Sequence, residues 1–231
     1  MSHTMCAENP IFVSDLDETL IETTVVERGY TKITINLPLL DMFHRAMKLR
    51  KRGKIDAILL LTNNKNRTIK IDEHPIKFLD HVSNTVVEVF NEIYYPEKIN
   101  SMTDIFDNIY SAEDSTKRTF ELVKATPWRE EPVIIYEPGP NMIGLRFREI
   151  KDIDTVQKML AEINILESYE RLQKRICFFD DEQIDHVIKK ELEQKGTYIT
   201  ISPPYGKSAD KTDYSPILSL LDSIEKRNID L

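Results

Sequence analysis

Apolar residues in this chain gather into short continuous runs that stop at polar residues, and between the runs lie stretches of helical period. A continuous apolar run of roughly four to eight residues suits a strand buried on both faces. Three runs have this form. The run through Phe12-Val13-Ser14 stops at Asp15 and Asp17, Ala57 to Leu61 stops at Thr62-Asn63-Asn64, and Arg175-Ile176-Cys177-Phe178-Phe179 stops at Asp180-Asp181-Glu182. Helical spacing appears from Pro38 to the stop at Gly53, and at Phe78, Leu79, Val82, Val86, Phe90 and Ile93, where Pro75 is expected to open the helix. It recurs at positions 153, 156, 159, 160 and 163, and at Ile184, Val187, Ile188 and Leu192 before Gly196. Thr197 to Ile201 reads as a further strand, and a last helix is expected from Ser215 towards Arg227. Alternating strands and helices predict an α/β fold, a three-layer α/β sandwich around a mainly parallel, Rossmann-like sheet.

Two stretches read as additions to that framework. Thr24 to Ile35 alternates around Gly29 and predicts a β-hairpin flap over about 23–36, overhanging Asp15. Roughly forty residues separate the first two acidic or polar strand ends, room for a hairpin and one helix but not a large lid. The longer span to Lys151 predicts a cap or small α+β insertion within about 66–148, inside a single catalytic domain spanning 1–231. Within it, Phe106 to Val123 reads as a strand followed by a helix. Val133 to Tyr136 and Met142 to Phe147 read as a hairpin around Glu137-Pro138-Gly139-Pro140-Asn141, with Arg146 and Arg148 placed to meet an anionic substrate.

The strand ends carry the chemistry. Two acids one residue apart repel one another, and a hard cation such as Mg²⁺, bound by oxygens, offsets that repulsion; a solvated turn is the plainer alternative. In an open parallel sheet the ligand site lies at the carboxyl ends of the strands, where Asp15, Asp17, Asp180 and Asp181 are all expected. Thr62 offers a hydroxyl to a phosphate oxygen, and Lys151, just ahead of a predicted helix, offers a charge to neutralise it. Lys117 is the alternative lysine.

Composition narrows the classes. With 231 residues, 41% hydrophobic and 30% charged, the chain is long enough to bury a sizeable core. The net charge of −8 argues against an extended nucleic-acid surface. No run reaches membrane-spanning length and the start lacks a signal pattern, so a cytoplasmic, intracellular protein is expected. Cys6 and Cys177 do not make a disulfide framework, and Cys177 reads as core. The five histidines, His3, His44, His74, His81 and His186, lack metal-ligand spacing and read as surface or capping positions. Gly206-Lys207-Ser208 lacks the first glycine of a phosphate-binding loop, that position being Ile201, and reads as an ordinary loop. Asn66-Arg67-Thr68 fits a glycosylation pattern without a secretory signal, and the basic run Lys48 to Arg52 suits the last turn of a helix.

Asp15-x-Asp17-x-Thr19, Thr62, an upstream lysine and Asp180-Asp181 together resemble the four ordered motifs of the haloacid dehalogenase (HAD)-like hydrolase superfamily. Phe178 to Glu182 looks like the fourth motif of its magnesium-dependent phosphatases, and Asp15 to Ile21 also resembles the phosphatases that act on the polymerase carboxy-terminal domain. The resemblance implies a Mg²⁺-dependent phosphomonoester hydrolase. Asp15 would be the nucleophile, forming an aspartyl-phosphate, and Asp17 the proton donor and then acceptor, with its carbonyl on the metal. Asp181 is the favoured second metal carboxylate and Asp180 a water-mediated ligand or the group orienting Lys151, roles the two acids exchange in the alternative. Thr62, Asn63 and Lys151 would hold the phosphoryl oxygens. A phosphotransferase or mutase using the same intermediate, and a non-catalytic phosphate-binding regulatory domain, are the competing readings. The phosphorylated substrate is equally open, as a small molecule, a nucleotide or a phosphoprotein.

Overall fold

The structure, a computed structural model, describes residues 8–26, 30–63, 66, 68–71, 74–111, 118–126, 129–135, 145–149, 151–181, 187–192, 196–200 and 212–227. Its central sheet consists of β1 (Ile11–Ser14), β4 (Ala57–Leu61), β7 (Asn108–Tyr110), β11 (Ile176–Asp180) and β12 (Thr197–Thr200). All four pairings are parallel, and the order is β12-β11-β1-β4-β7. The first strand is therefore central, and the chain moves to one side of it for β4 and β7 and to the other for β11 and β12. That reversal is a topological switch point, where open α/β sheets leave a crevice at their carboxyl edge.

Alternation of side chains sorts the core into two layers. Phe12, Ile58, Leu60, Cys177 and Phe179 face one side and pack with α1 (Leu37–Lys51), α2 (Phe78–Ile93) and α6 (Ser215–Glu225). Ile11, Val13, Ala57, Leu59, Leu61, Ile176 and Phe178 face the other and pack with α3 (Ile153–Glu162), α4 (Tyr169–Arg175) and α5 (Val187–Leu192). Helices on both faces of a parallel sheet make a three-layer α/β sandwich, and β1, β4 and β11 are buried at every position and apolar up to Ser14 and Asp180 because both faces are covered. Edge-to-face contacts of Phe179 with Phe12 and Phe43 tie β11, β1 and α1 together. Among the described residues no helix is long and apolar enough to cross a membrane.

β2 (Ile21–Val26) and β3 (Tyr30–Ile35) form the antiparallel hairpin expected around Gly29. It is backed on one side, since β3 packs against α2 and against β5 (Thr68–Ile71), which pairs with β6 (His74–Lys77). β8 (Arg118–Thr126), β9 (Arg129–Ile135) and β10 (Leu145–Glu149) make a separate antiparallel sheet between β7 and Lys151.

Several expectations are corrected here. Pro75 lies within β6, opposite Lys70, and α2 starts three residues later at Phe78, its second residue, Leu79, held by the Asn66 side chain at 3.0 Å. Thr119 to Val123 is strand, not helix. Neither β9 nor β10 pairs with the other: both pair with β8, which is the middle strand, and Arg146 and Arg148 stand opposite Glu121 and Thr119. His44 is not a surface position; it is buried on α1, packed edge-on to Phe90 and against Tyr94, and hydrogen-bonded to Glu97. Ile93, assigned to the apolar face of α2, is exposed. Asn64, Lys117, Ile184, the turn at 137–141 and Gly206-Lys207-Ser208 lie outside the described residues.

Candidate active site

The register of β1 against β11 sets Ser14 beside Phe179, so the next step along both strands brings Asp15 beside Asp180. The Asp15 amide donates to the Phe179 carbonyl at 2.9 Å, carrying the ladder one residue past β1. By strand alternation both acids continue the face of Val13 and Phe178, which is the face that α3 covers. Lys151 immediately precedes the α3 N-cap, Asp152, and reaches between them. Its ammonium lies 2.7 Å from Asp15 Oδ1 and 3.2 Å from Asp180 Oδ2, with the Phe178 ring centroid 5.8 Å away. The lysine backbone is pinned as well, because Ile188 of α5 donates to the Lys151 carbonyl at 3.0 Å.

Asp181 completes a cluster in which one carboxylate oxygen each from Asp15, Asp180 and Asp181 lie within 4.8 Å of one another. Asp15 and Asp180 are buried, and Asp181 is half-buried. Three carboxylates at that separation make a set of hard oxygen donors suited to a divalent cation such as Mg²⁺. The electrostatic cost falls mainly on Asp15. Burial pushes its carboxyl up to about 7 from 3.8; Lys151 opposes the shift, and Asp180 and Asp17 add to it. Lys151 moves the other way in charge terms: burial disfavours the ammonium, but the carboxylates of Asp15 and Asp180 outweigh burial and hold its proton more tightly than in water.

After Asp15 the chain reverses tightly. Leu20 and Ile21 both donate to the Leu16 carbonyl, Asp17 bridges to Ile21, and Glu18 takes a left-handed backbone with φ 51°. A non-glycine residue there carries strain, and strain of this kind gathers at functional turns. The reversal buries Thr19, whose hydroxyl donates to Asp181 Oδ1 at 3.5 Å.

At the neighbouring strand Ser14 sits opposite Leu60, so Thr62 lies just beyond the level of Asp15. It is buried, and its amide donates to the Tyr110 carbonyl at 2.9 Å, joining the ends of β4 and β7. Asn63 is half-buried beside it. The structure thus brings Asp15, Lys151, Asp180 and Asp181 into direct contact or metal-ligand range, with Asp17 close to Asp15 and Thr62 at the adjoining strand end. Buried polar residues that sequence reasoning did not single out include Asn36, directly after the hairpin, and Ser111, directly after β7. A polar residue next to a predicted strand end was the available signal for each, although single asparagines and serines are common in turns.

Comparison with protein-family models and with curated proteins gives no match. Among solved structures, the chain is similar to a probable YrbI family phosphatase from Pseudomonas syringae pv. phaseolica 1448a, with a TM-score of 0.39, 9% identity, and coverage of 94% of this chain and 87% of that one. At that TM-score and identity the likeness carries no weight for the chemistry, which stands on the residues at the sheet's carboxyl edge.

Proposed function

We propose that this protein is a Mg²⁺-dependent phosphomonoester hydrolase that works through an aspartyl-phosphate on Asp15. The observation that carries the proposal is the buried Asp15–Lys151–Asp180 contact, with Asp181 in reach, at the topological switch point of a parallel sheet. Asp15, Asp180 and Asp181, with the Asp17 carbonyl, would hold the metal, whose charge reduces the repulsion between a phosphate dianion and an anionic nucleophile. A carboxylate is a modest nucleophile in water. Here burial strips Asp15 of solvent, and the proposed cation would favour its anionic, nucleophilic form.

In the first displacement Asp15 would attack phosphorus while the P–O bond to the leaving group breaks, and Asp17 would give that oxygen its proton. In the second, Asp17 would take a proton from the incoming water, whose oxygen attacks phosphorus and frees Asp15 with inorganic phosphate. Lys151 would balance charge on the transferring oxygens, and Thr62 would hydrogen-bond one of them; positioning and electrostatics of this kind do most of the work in phosphoryl transfer. The second acid distinguishes this proposal from a domain that only binds phosphate, since binding alone has no use for a proton carrier.

Hydrolysis of a chromogenic aryl phosphate, measured with Mg²⁺ and with EDTA for the wild type and Asp15→Asn, tests the proposal. Turnover that needs Mg²⁺ and disappears with Asp15→Asn is the expected result. Turnover that persists in Asp15→Asn would remove Asp15 from the nucleophile's role.

A further inference from the structure

We propose that Asn36 and Tyr214 are positioning residues that hold Asp181 in its metal-binding orientation through Thr19, an inference that rests on the Mg²⁺ phosphatase reading above. Asn36 stands where β3 ends and α1 begins, and no part of it reaches solvent. Each polar group of its side chain has a partner from a different segment. The amide nitrogen donates to the Thr19 carbonyl at 2.7 Å, and the amide oxygen accepts from the Leu39 N–H at 3.3 Å and from the Tyr214 hydroxyl at 2.8 Å. The orientation of the amide is forced by chemistry, because a backbone carbonyl only accepts and a backbone N–H only donates. The backbone joins in, with Asn36 N–H donating to the Leu20 carbonyl at 2.9 Å.

Thr19 passes the constraint on. Its carbonyl is held by Asn36, and its hydroxyl donates to Asp181 Oδ1. The result is one line of hydrogen bonds, Tyr214 to Asn36 to Thr19 to Asp181, that joins the start of α6, the base of the β2–β3 hairpin, the strained turn at Glu18 and the acid that follows β11. These positions are far apart in sequence, so the line exists only in the folded protein. Asp181 is half-buried and lies past the last ladder residue of β11, where strand pairing no longer fixes it. A hydrogen-bonded donor is the ordinary means of orienting such a ligand, and loss of an outer partner typically costs about 10- to 100-fold in metal affinity.

The test is Mg²⁺ binding by isothermal titration calorimetry, with kcat, KM and Tm measured alongside, for the wild type, Asn36→Asp and Tyr214→Phe. Asn36→Asp keeps the cap to Leu39 but turns the donor facing the Thr19 carbonyl into an acceptor. Tyr214→Phe keeps the ring and removes only the hydroxyl, so it serves if Asn36→Asp fails to fold. The expected result is a Kd for Mg²⁺ raised by roughly tenfold in Asn36→Asp and by about three- to fivefold in Tyr214→Phe, with kcat at subsaturating Mg²⁺ falling in step and KM little changed. A lower Tm with unchanged Mg²⁺ Kd and kcat would overturn the inference and leave the phosphatase reading intact. A wild type that neither binds Mg²⁺ nor turns over would overturn that reading, and the inference with it.

Discussion

Each end of the central sheet buries a cation among carboxylates, and the two clusters are built to different purposes. At the amino edge, just before β11, Arg175 is 3% exposed and bonds the Asn9 carbonyl at 2.9 Å, Asp56 and Glu167, with Glu8 3.7 Å away. At the carboxyl edge Lys151 is 4% exposed and bonds Asp15 and Asp180. Of the acids around Arg175, Asp56 and Glu8 reach solvent, with side-chain exposures of 35% and 43%, while Glu167 is buried against the guanidinium, whose fork clips together the segments before β1, β4 and β11. Around Lys151 the exposures of Asp15 and Asp180 are 6% and 0%, and a third carboxylate, that of Asp181, is within metal-ligand range of both. The second cluster gathers three carboxylates within metal-ligand range of one another, the oxygen set that the proposed divalent cation would use.

The widest separation between the two ends is expected from Asp15→Asn and Arg175→Ala. Asp15→Asn should lower kcat on the order of 10⁴- to 10⁶-fold, as removal of a covalent nucleophile does, in a protein that still folds by circular dichroism. Arg175→Ala should leave kcat of the folded protein unchanged while costing about 3–5 kcal/mol in denaturant unfolding, because it strands buried carboxylate at Glu167. Loss of turnover with unimpaired folding in Arg175→Ala would dissolve the distinction. Lys151→Met should fall between them, lowering kcat by about 10²–10³-fold with KM affected less, since the lysine answers charge that develops on the phosphoryl group.

A smaller effect sharpens the comparison through pH. The folded-state pKa of Asp15 lies above its unfolded value, so its carboxyl favours folding in the protonated form; that contribution is present below about 3.8 and is lost as pH rises through about 7. Metal-free wild type should therefore lose Tm across this interval. Asp15→Asn, which has no proton to lose there, should show a flatter profile and a higher Tm than wild type at pH 8. Saturating Mg²⁺ should raise the wild-type Tm at pH 8 and leave Asp15→Asn nearly unmoved. Parallel Tm profiles for wild type and Asp15→Asn would place the cost of burial elsewhere.

Much of the fold was legible because the central strands are buried on both faces. Runs such as Ile176 to Phe179 must then be apolar throughout, and an acid at the end of such a run marks where the sheet meets the site. The antiparallel strands were harder. β8 carries Glu121, Lys124 and two threonines among its apolar residues, a mixture that helix and strand share, and although β9 follows after two residues, the pairing of β10 on the other side of β8 skips over β9 and is not written in local pattern. The third strand-like run opens at Arg175 in the sequence, yet Arg175 closes α4, since local pattern says nothing of the three acids that converge on it. Asn36 was invisible for the same reason. A buried asparagine looks like any turn residue until Thr19, Leu39 and Tyr214 are brought around it.

The central claim is that Asp15 accepts a phosphoryl group at the carboxyl edge of the sheet, and beryllofluoride, which mimics an acyl phosphate on a carboxylate, tests it most directly. With Mg²⁺ present, fluorine NMR of the wild type should show bound beryllofluoride resonances that are absent with EDTA and absent in Asp15→Asn. A wild type with no adduct under these conditions, or an adduct that survives in Asp15→Asn, would contradict the account.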